Sequence, residues 1–419
     1  MDRKEKPRTA NDRIRVLHLL GTARAGGVET FVLELARHID RSRFDLSVCI
    51  IGSHGPMVDE LRANAAGVRV LGIQKSFWRH ALAYFLYVRA GRFDILHANV
   101  GGRLPRYLAR LAGCHVIITH VHGPADEEVE AWRRGSRSCG PRIKRTYFAG
   151  THHLVSCSHA VARMMIACCP ALAGRVLVIP YGVDLDRFQP ALPDSPVVKA
   201  LRHELGLQDG HSIIGFVGRL AAQKGLRHLV SAAELLQKRY ANLHFLIVGD
   251  GPLGIEFKAA TALLGENRFS FLGERYDVPD LLALFDVLVV PSEWEGTPIV
   301  NLEAMAVATP VVAFDVDGIP ETIAHSETGL LVPYQDTQGL ASAIAQLLDD
   351  VSLRRRMGAA GRQRVEQMFD VRGMVRTFES IYETTTCRSG NFRKLEPPAG
   401  FRGIENGGGL DPQIFPPAR

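Results

Sequence analysis

Two glutamates eight residues apart, Glu295 and Glu303, flank a stretch suited to holding an anion: Ser292-Glu293-Trp294-Glu295-Gly296-Thr297-Pro298-Ile299-Val300-Asn301-Leu302-Glu303-Ala304. Val287-Leu288-Val289-Val290 before it is a β-branched apolar run closed by Pro291, the pattern of a buried parallel strand. Thr297 is a favourable N-cap and Pro298 suits the first helical position, so a helix is predicted to begin there. The unpaired amides of its first turn and the positive end of its dipole attract phosphate. Glu303 lies roughly 7–8 Å along the axis from Pro298 at about 1.5 Å per residue, the reach from a phosphate to a ribose. Glu303 is then placed to accept ribose hydroxyls, and Glu295, in the loop, hydroxyls of a sugar. Spacing alone fits equally well a solvated Glu295 and a buried, satisfied Glu303.

A second constellation is Ile213-Ile214-Gly215-Phe216-Val217-Gly218-Arg219-Leu220-Ala221-Ala222-Gln223-Lys224-Gly225-Leu226, which reads as strand, short basic loop and helix. Loops at the carboxyl ends of strands are where open α/β sheets bind ligands. Arg219 offers a bidentate fork and Lys224 a point charge to a diphosphate; two loop cations can also simply be solvated. In the first half, Gly26-Gly27 falls in the first strand-to-helix loop, where glycine admits close backbone approach. His122 follows the fifth strand, and His120 shares its strand face by alternation. A lone histidine in such a place also fits a hydrogen-bonded structural role.

These segments, with Val248-Gly249-Asp250-Gly251-Pro252, Phe271-Leu272-Gly273, Pro291-Ser292, His97-Ala98-Asn99, Thr119-His120-Val121-His122-Gly123 and Ile179-Pro180-Tyr181-Gly182-Val183-Asp184, occur in the order seen in retaining glycosyltransferases of family 4, which the chain resembles. The resemblance implies two Rossmann-like domains facing a central cleft (GT-B), with C-terminal helices crossing back to the first domain. It implies sugar transfer from a nucleotide diphosphate sugar (UDP- or GDP-) to a glycan or lipid-linked acceptor, with anomeric configuration retained and no divalent metal or other cofactor. It suggests Arg219, Lys224, Glu295 and His122 as catalytic residues. Donor contacts fall on Gly218, Arg219, Lys224, Gly249 and Gly273, and on Glu295, Gly296, Thr297, Pro298, Ile299 and Glu303. Gly26, Gly27, His120 and His122 face the acceptor. Two positions depart from the family pattern: Asp317 stands where a second glycine commonly precedes Gly318, and Ala308 where glycine is frequent. An added carboxylate beside a diphosphate would repel it or shift sugar preference. Replacing Lys224 with Ala is expected to abolish most turnover with the fold intact. A non-catalytic sugar-nucleotide sensor and a GT-B sugar-nucleotide epimerase are the alternatives; the epimerase should lack the Arg219/Lys224 and Glu295/Glu303 set.

The elements that must position these residues alternate as α/β. Strands are predicted near 15–21, 45–51, 68–73, 94–99, 115–121, 152–158 and 176–182, then near 212–218, 244–249, 269–272, 287–291, 310–314 and 329–332. Helices are predicted at Glu29–Ile39 and Ala160–Ala167 and, late in the chain, at Thr337–Leu348, Ser352–Met368 and Gly373–Thr384. The resulting division is a flexible 1–13, a Rossmann-like acceptor domain over 14–187, a Pro-rich linker over 188–196, a nucleotide-sugar domain over 197–370, a crossover helix over 371–386 and a tail over 387–419. The tail, rich in Gly and Pro, is too poor in aliphatics to order itself.

The chain has 419 residues, 46% of them hydrophobic and 22% charged, an ordinary soluble composition with room for two domains. No apolar run approaches the ~20 residues of a membrane span. The charged segment before Arg15 lacks an apolar signal core, so a cytoplasmic location is expected. The seven cysteines show no CxxC spacing and are expected to be reduced thiols. The net charge is +6, and Arg133, Arg134, Arg137, Arg142, Lys144 and Arg145 form a basic stretch. That stretch would either rest peripherally on the inner, anionic membrane face or be a solvated surface. No aromatic–basic interleaving suggests nucleic acid as a partner.

Overall fold

A computed structural model describes residues 13–24, 26–72, 77–123, 148, 150–191, 195–208, 210–265 and 268–386. The basic stretch Arg133–Arg145, the 387–419 tail and nearly all of 1–13 lie outside these residues. The first sheet comprises β1 (Ile14–Leu20), β2 (Phe44–Ile50), β3 (Gly67–Val70), β4 (Ile95–Ala98), β5 (Val116–Val121), β6 (His153–Ser156) and β7 (Val176–Val178), in the order β3-β2-β1-β4-β5-β6-β7. The second comprises β8 (Ser212–Val217), β9 (Leu243–Val248), β10 (Phe269–Gly273), β11 (Val287–Val290), β12 (Val311–Phe314) and β13 (Gly329–Val332), in the order β10-β9-β8-β11-β12-β13. Neighbouring strands pair in parallel. Burial of β9 and β11 along their whole length explains why they read as unbroken apolar runs, since helices cover both faces of such a sheet.

Helices connect the strands: α1 (Gly27–His38), α2 (Val58–Asn64), α3 (Phe77–Gly91), α4 (Arg103–Leu111) and α5 (His159–Cys168) in the first half. The second half carries α6 (Pro196–Glu204), α7 (Leu226–Leu236), α8 (Gly254–Ala262), α9 (Val278–Leu284), α10 (Ile299–Ala306), α11 (Ile319–Thr322), α12 (Thr337–Asp349) and α13 (Val351–Met368). The last helix, α14 (Val371–Thr386), packs on α1 and β1 of the first half. Phe378 stacks edge-on to Phe31, Glu379 accepts from the Asp40 amide at 2.8 Å, and Arg43 reaches Glu383 through Nε at 3.0 Å. All the strands expected from the sequence are present, with ends differing by a few residues where apolar character outlasts the ladder.

Two expectations need correction. The helix after β11 begins at Ile299 with Pro298 as its N-cap, and no side chain caps it. Thr297 does not cap, because its hydroxyl donates to the Cys157 carbonyl of the first half at 2.9 Å; tertiary contact outcompetes the local cap. Cys49, Cys114, Cys157 and Cys169 are free and buried, but Cys168 is disulfide-bonded, a pairing that sequence spacing cannot reveal. Asp317 and Ala308 occupy the left-handed region (φ 44° and 62°), which is why glycine suits both places.

The two halves are joined by two chain crossings that run side by side. Val183 donates to Phe369 O at 2.9 Å and Val371 donates to Val183 O at 3.1 Å. Gly182 lies so close that a Cβ there would stand 2.4 Å from Val371 Cα and 2.7 Å from its amide nitrogen. Gly182→Ala must therefore push α14 off the first sheet, and it is expected to cost about 2–4 kcal/mol, as overpacking against backbone does. Chemical denaturation of the variant measures this; wild-type stability would show that the crossing is pliant.

Candidate functional site

The carboxyl ends of the two sheets face each other across a cleft of about 1000 Å³. Both sheets reverse strand order beside their first strand, between β1 and β4 and between β8 and β11, which is where doubly wound sheets bind ligands. The second half contributes Gly218, Arg219, Lys224 and Gly249, then Glu295 through Ile299 and Glu303. The first half contributes Gly26, Gly27, His122 and Tyr181. The halves touch at the cleft floor. A Cβ on Gly296 would fall 1.9 Å from the His122 carbonyl oxygen, so only glycine lets the loop after β11 reach the first half. Glu321 of α11 accepts from the His159 and Ala160 amides at 2.8 and 2.6 Å, capping α5 across the gap.

Charge is arranged asymmetrically. Arg219 is exposed in the loop after β8 and lines the cleft, with Glu29 of the first half near enough to feel its charge; it makes no ion pair with a described residue. Ile299 and Val300 line the same cleft; their amides open α10 and have no intrahelical acceptor, as at every helix start. Lys224 Nζ lies 2.5 Å from Glu295 Oε1, and the Ser292 hydroxyl donates to the same oxygen at 2.9 Å. The acid expected to meet the sugar and one of the cations expected to meet the diphosphate are thus a bonded pair. Asp317 turns its carboxylate to the Glu295 amide, which donates to Oδ2 at 3.0 Å. It braces the loop and does not line the cleft.

Glu303 sits half-buried in the cleft wall, and burial pushes its carboxyl up to about 7; Arg187 works against the rise and Glu34 adds to it. Arg187 belongs to the chain leaving the first half and also lines the cleft. Glu34, His38 and Asp184 are close enough together to share a cation. Arg37 at 2.7 Å and Arg187 at 3.8 Å from Glu34 already neutralise much of that group.

Behind His122 runs a chain of buried hydrogen bonds with one consistent direction. The Asn99 amide nitrogen faces the carbonyls of Leu19 and His97 at 3.4 Å, so Oδ1 is the atom that meets His122 Nε2 at 3.0 Å. His122 Nε2 therefore carries the proton and Nδ1 accepts from the Tyr181 hydroxyl at 2.5 Å. The Asn99 amide donates to His18 Nδ1 at 3.3 Å, His18 Nε2 donates to Tyr382 at 3.1 Å, and Tyr382 donates to His97 Nδ1 at 2.8 Å. His97 Nε2 then donates to His120 Nδ1 at 3.3 Å, and the remaining His120 N–H finds no partner. Burial pushes His18 and His122 down to about 3 and holds His97 and His120 well below the usual value. All four are neutral at pH 7.

Of the candidates drawn from the sequence, two are set back from the cleft. His120 shares the face of His122, with ring centroids 3.9 Å apart, but it is enclosed by Phe31 and Phe378 and does not line the cleft. Its strand ends one residue too late for its ring to reach solvent. Gly273 is likewise behind the wall, its carbonyl accepting from the Gly249 amide at 2.7 Å. Sequence reasoning gave no role to Tyr181, Asn99 or Arg187. The first two lie inside motifs already noted, but their pairing spans 59 and 23 residues, which no local pattern shows.

Comparisons with known proteins agree with this geometry. The family model described as glycosyl transferases group 1 matches residues 197–364, and that described as glycosyltransferase family 4 matches 25–187. The chain is 26% identical over 357 residues (82% of this chain, 90% of the relative) to the UDP-Gal:alpha-D-GlcNAc-diphosphoundecaprenol alpha-1,3-galactosyltransferase of Escherichia coli. It is 33% identical over 272 residues (61% of this chain, 69% of the relative) to the alpha-maltose-1-phosphate synthase of Mycolicibacterium smegmatis. The Anabaena protein Alr3699/HepE, solved in complex with UDP and glucose, shares the fold with a TM-score of 0.76 at 23% identity, over 89% of this chain and all of that one.

Two titrations follow from the site. A carboxyl whose folded value is raised contributes stability that is lost as pH rises through about 7. Glu303→Gln removes this loss, so its stability relative to wild type should be greater at pH 8 than at pH 5 by about 1–2 kcal/mol, discounted for its partial exposure. Equal differences at the two pH values in thermal unfolding would refute the assignment. The histidines act oppositely: their stability is present above about 6.5 and lost as pH falls. Four of them can steepen acid unfolding by up to about 5 kcal/mol per pH unit, and a flat unfolding midpoint between pH 7 and 5 would contradict the buried relay.

Proposed function

Because the chain belongs to glycosyltransferase family 4, we propose that it moves a hexosyl group from a UDP- or GDP-sugar to a glycan or lipid-linked acceptor. The observation that carries this reading is that Arg219, with no ion-pair partner among the described residues, lines the same cleft as the first residues of α10 and the Lys224–Glu295 pair. The nucleotide would lie against the second half (197–370), with ribose hydroxyls on Glu303 and the base near Glu274, Arg275 and Tyr276, which line that end. The acceptor would enter from the first half (14–187), past Gly26, Gly27 and His122.

The bond that breaks joins the anomeric carbon to a phosphate oxygen, and negative charge grows on the departing diphosphate. Arg219, Lys224 and the amides of Ile299 and Val300 are fixed donors for that charge, a preorganised electrostatic stabilisation. In this reading they meet it without a metal. The acceptor oxygen attacks on the face the diphosphate leaves, its proton passes to a phosphate oxygen, and anomeric configuration is retained. Glu295 would orient sugar hydroxyls while its bond to Lys224 keeps both side chains in place. His122, neutral and held on both ring nitrogens, would act as a rigid wall beside the sugar. Closure of the two halves, already in contact at Gly296 and Glu321, would keep water from competing. Among the described residues no helix is long and apolar enough to cross a membrane, and the lipid-linked acceptor of the Escherichia coli relative supports a place in cell-envelope or exopolysaccharide biosynthesis.

Two measurements test this. Purified protein is expected to gain thermal stability with UDP or GDP and to release nucleoside diphosphate from a matching sugar donor; well-folded protein indifferent to UDP, GDP and ADP would overturn the reading. Lys224→Ala is expected to cut turnover by about 10²–10³-fold, as loss of a transition-state donor does. It leaves Glu295, 5% exposed, without its cation, so the variant should also lose about 2–4 kcal/mol of stability. Normal turnover in that variant would remove Lys224 from the mechanism.

A further inference from the structure

Among the described residues, exposed large hydrophobic side chains gather on two neighbouring helices. On α3 the exposed stripe is Trp78, Leu82 and Leu86, one helical turn apart, with Phe77 beside it; Trp78 is 77% exposed. On α4, which packs against α3, Leu104, Tyr107 and Leu111 form the matching stripe, with Tyr107 60% exposed. The inner faces of both helices are satisfied: Tyr84, Val88, Ala109 and Ala112 are buried in a common apolar cluster with Leu96 and Phe93. Each helix is therefore apolar on both sides, which a helix facing only water does not need.

The polar residues between the stripes are of one sign. Arg79, Arg89, Arg103 and Arg110 are exposed, neither helix contains an acidic residue, and none of the four makes an ion pair with a described residue. We infer that the outer face of α3 and α4 docks on an anionic lipid surface. Apolar and aromatic side chains in the same plane as unpaired arginines suit the boundary between acyl chains and anionic headgroups. A second copy of the chain is a poorer occupant, because a two-fold contact would press arginine against arginine with no acid between them.

Topology places this face beside the acceptor side of the cleft. In a parallel sheet all carboxyl ends lie at one edge, and α3 and α4 start just after β3 and β4 leave that edge. Phe77, Trp78 and Leu104 thus lie at the cleft end of the first half, where a lipid-borne acceptor would emerge from the surface. The inference builds on the acceptor proposed above and moves membrane contact from the Arg133–Arg145 stretch, outside the described residues, to a defined pair of helices.

The test is co-sedimentation of the full chain with phosphatidylcholine vesicles, with and without phosphatidylglycerol. Wild type should sediment with the anionic vesicles, less so at high salt. The triple variant Trp78→Glu, Leu82→Glu, Tyr107→Glu should lose binding by roughly tenfold or more, since it removes apolar insertion and adds repulsion. These positions are exposed, so the thermal shift with UDP should match wild type in the variant. No binding by wild type, equal binding by the variant, or a wild-type dimer that the variant splits without any lipid binding would each overturn the surface. Failure of the transferase reading would look different: no nucleoside diphosphate release on any acceptor, with lipid binding unaffected.

Discussion

At Gly296 the loop after β11 runs into the carbonyl of His122 with no room for a side chain, and this contact sets the geometry of everything else in the cleft. It fixes the approach of the loop after β11 to the first half's strand-end histidine. The neighbouring bonds reinforce it from both directions: Thr297 to the Cys157 carbonyl on one side, Glu321 to the start of α5 on the other. Because backbone rather than long side chains makes the approach, the halves meet at a defined distance, with the donors of α10 aimed into the gap between them. A preorganised site depends on such rigidity, since donors that must reorganise during reaction stabilise charge less.

Behind that contact the first half is unusually polar for a core. Four neutral histidines, Asn99 and two tyrosines form one directed chain from the cleft to the crossover helix α14. Burying so many polar groups is tolerable only because nearly every donor meets an acceptor. The single exception, the outer N–H of His120, ends the chain. The arrangement couples the seating of α14 to the orientation of His122, so the element that ties the halves together also holds a wall of the site.

The second half uses charge in pairs. Lys224 with Glu295, and Arg227 and His228 with Glu293, leave Arg219 as the cleft-lining cation of the β8 loop without an ion-pair partner among the described residues. Asp317, at a position where its left-handed backbone favours glycine, compensates by accepting from the Glu295 amide. Its carboxylate supports the loop that carries Glu295. A departure from the family pattern is thereby absorbed without placing another negative charge in the cleft.

Periodicity and turn residues were enough to determine the alternating α/β order and the strands of both sheets, because apolar runs closed by Gly or Pro report burial directly. Spacing from strand ends left Glu295, Glu303, Arg219 and Lys224 open between a site and a solvated or satisfied role; the family resemblance singled them out, and the structure places all four at the cleft. What only the tertiary structure decided is which of these groups bind one another. That Lys224 is held by Glu295, that Thr297 turns away from its own helix, that His120 is walled off while His122 reaches the cleft, and that Arg187 lies near Glu303 all depend on segments tens to hundreds of residues apart. The sequence carries each partner separately; bringing them within hydrogen-bond distance is the work of the packed halves.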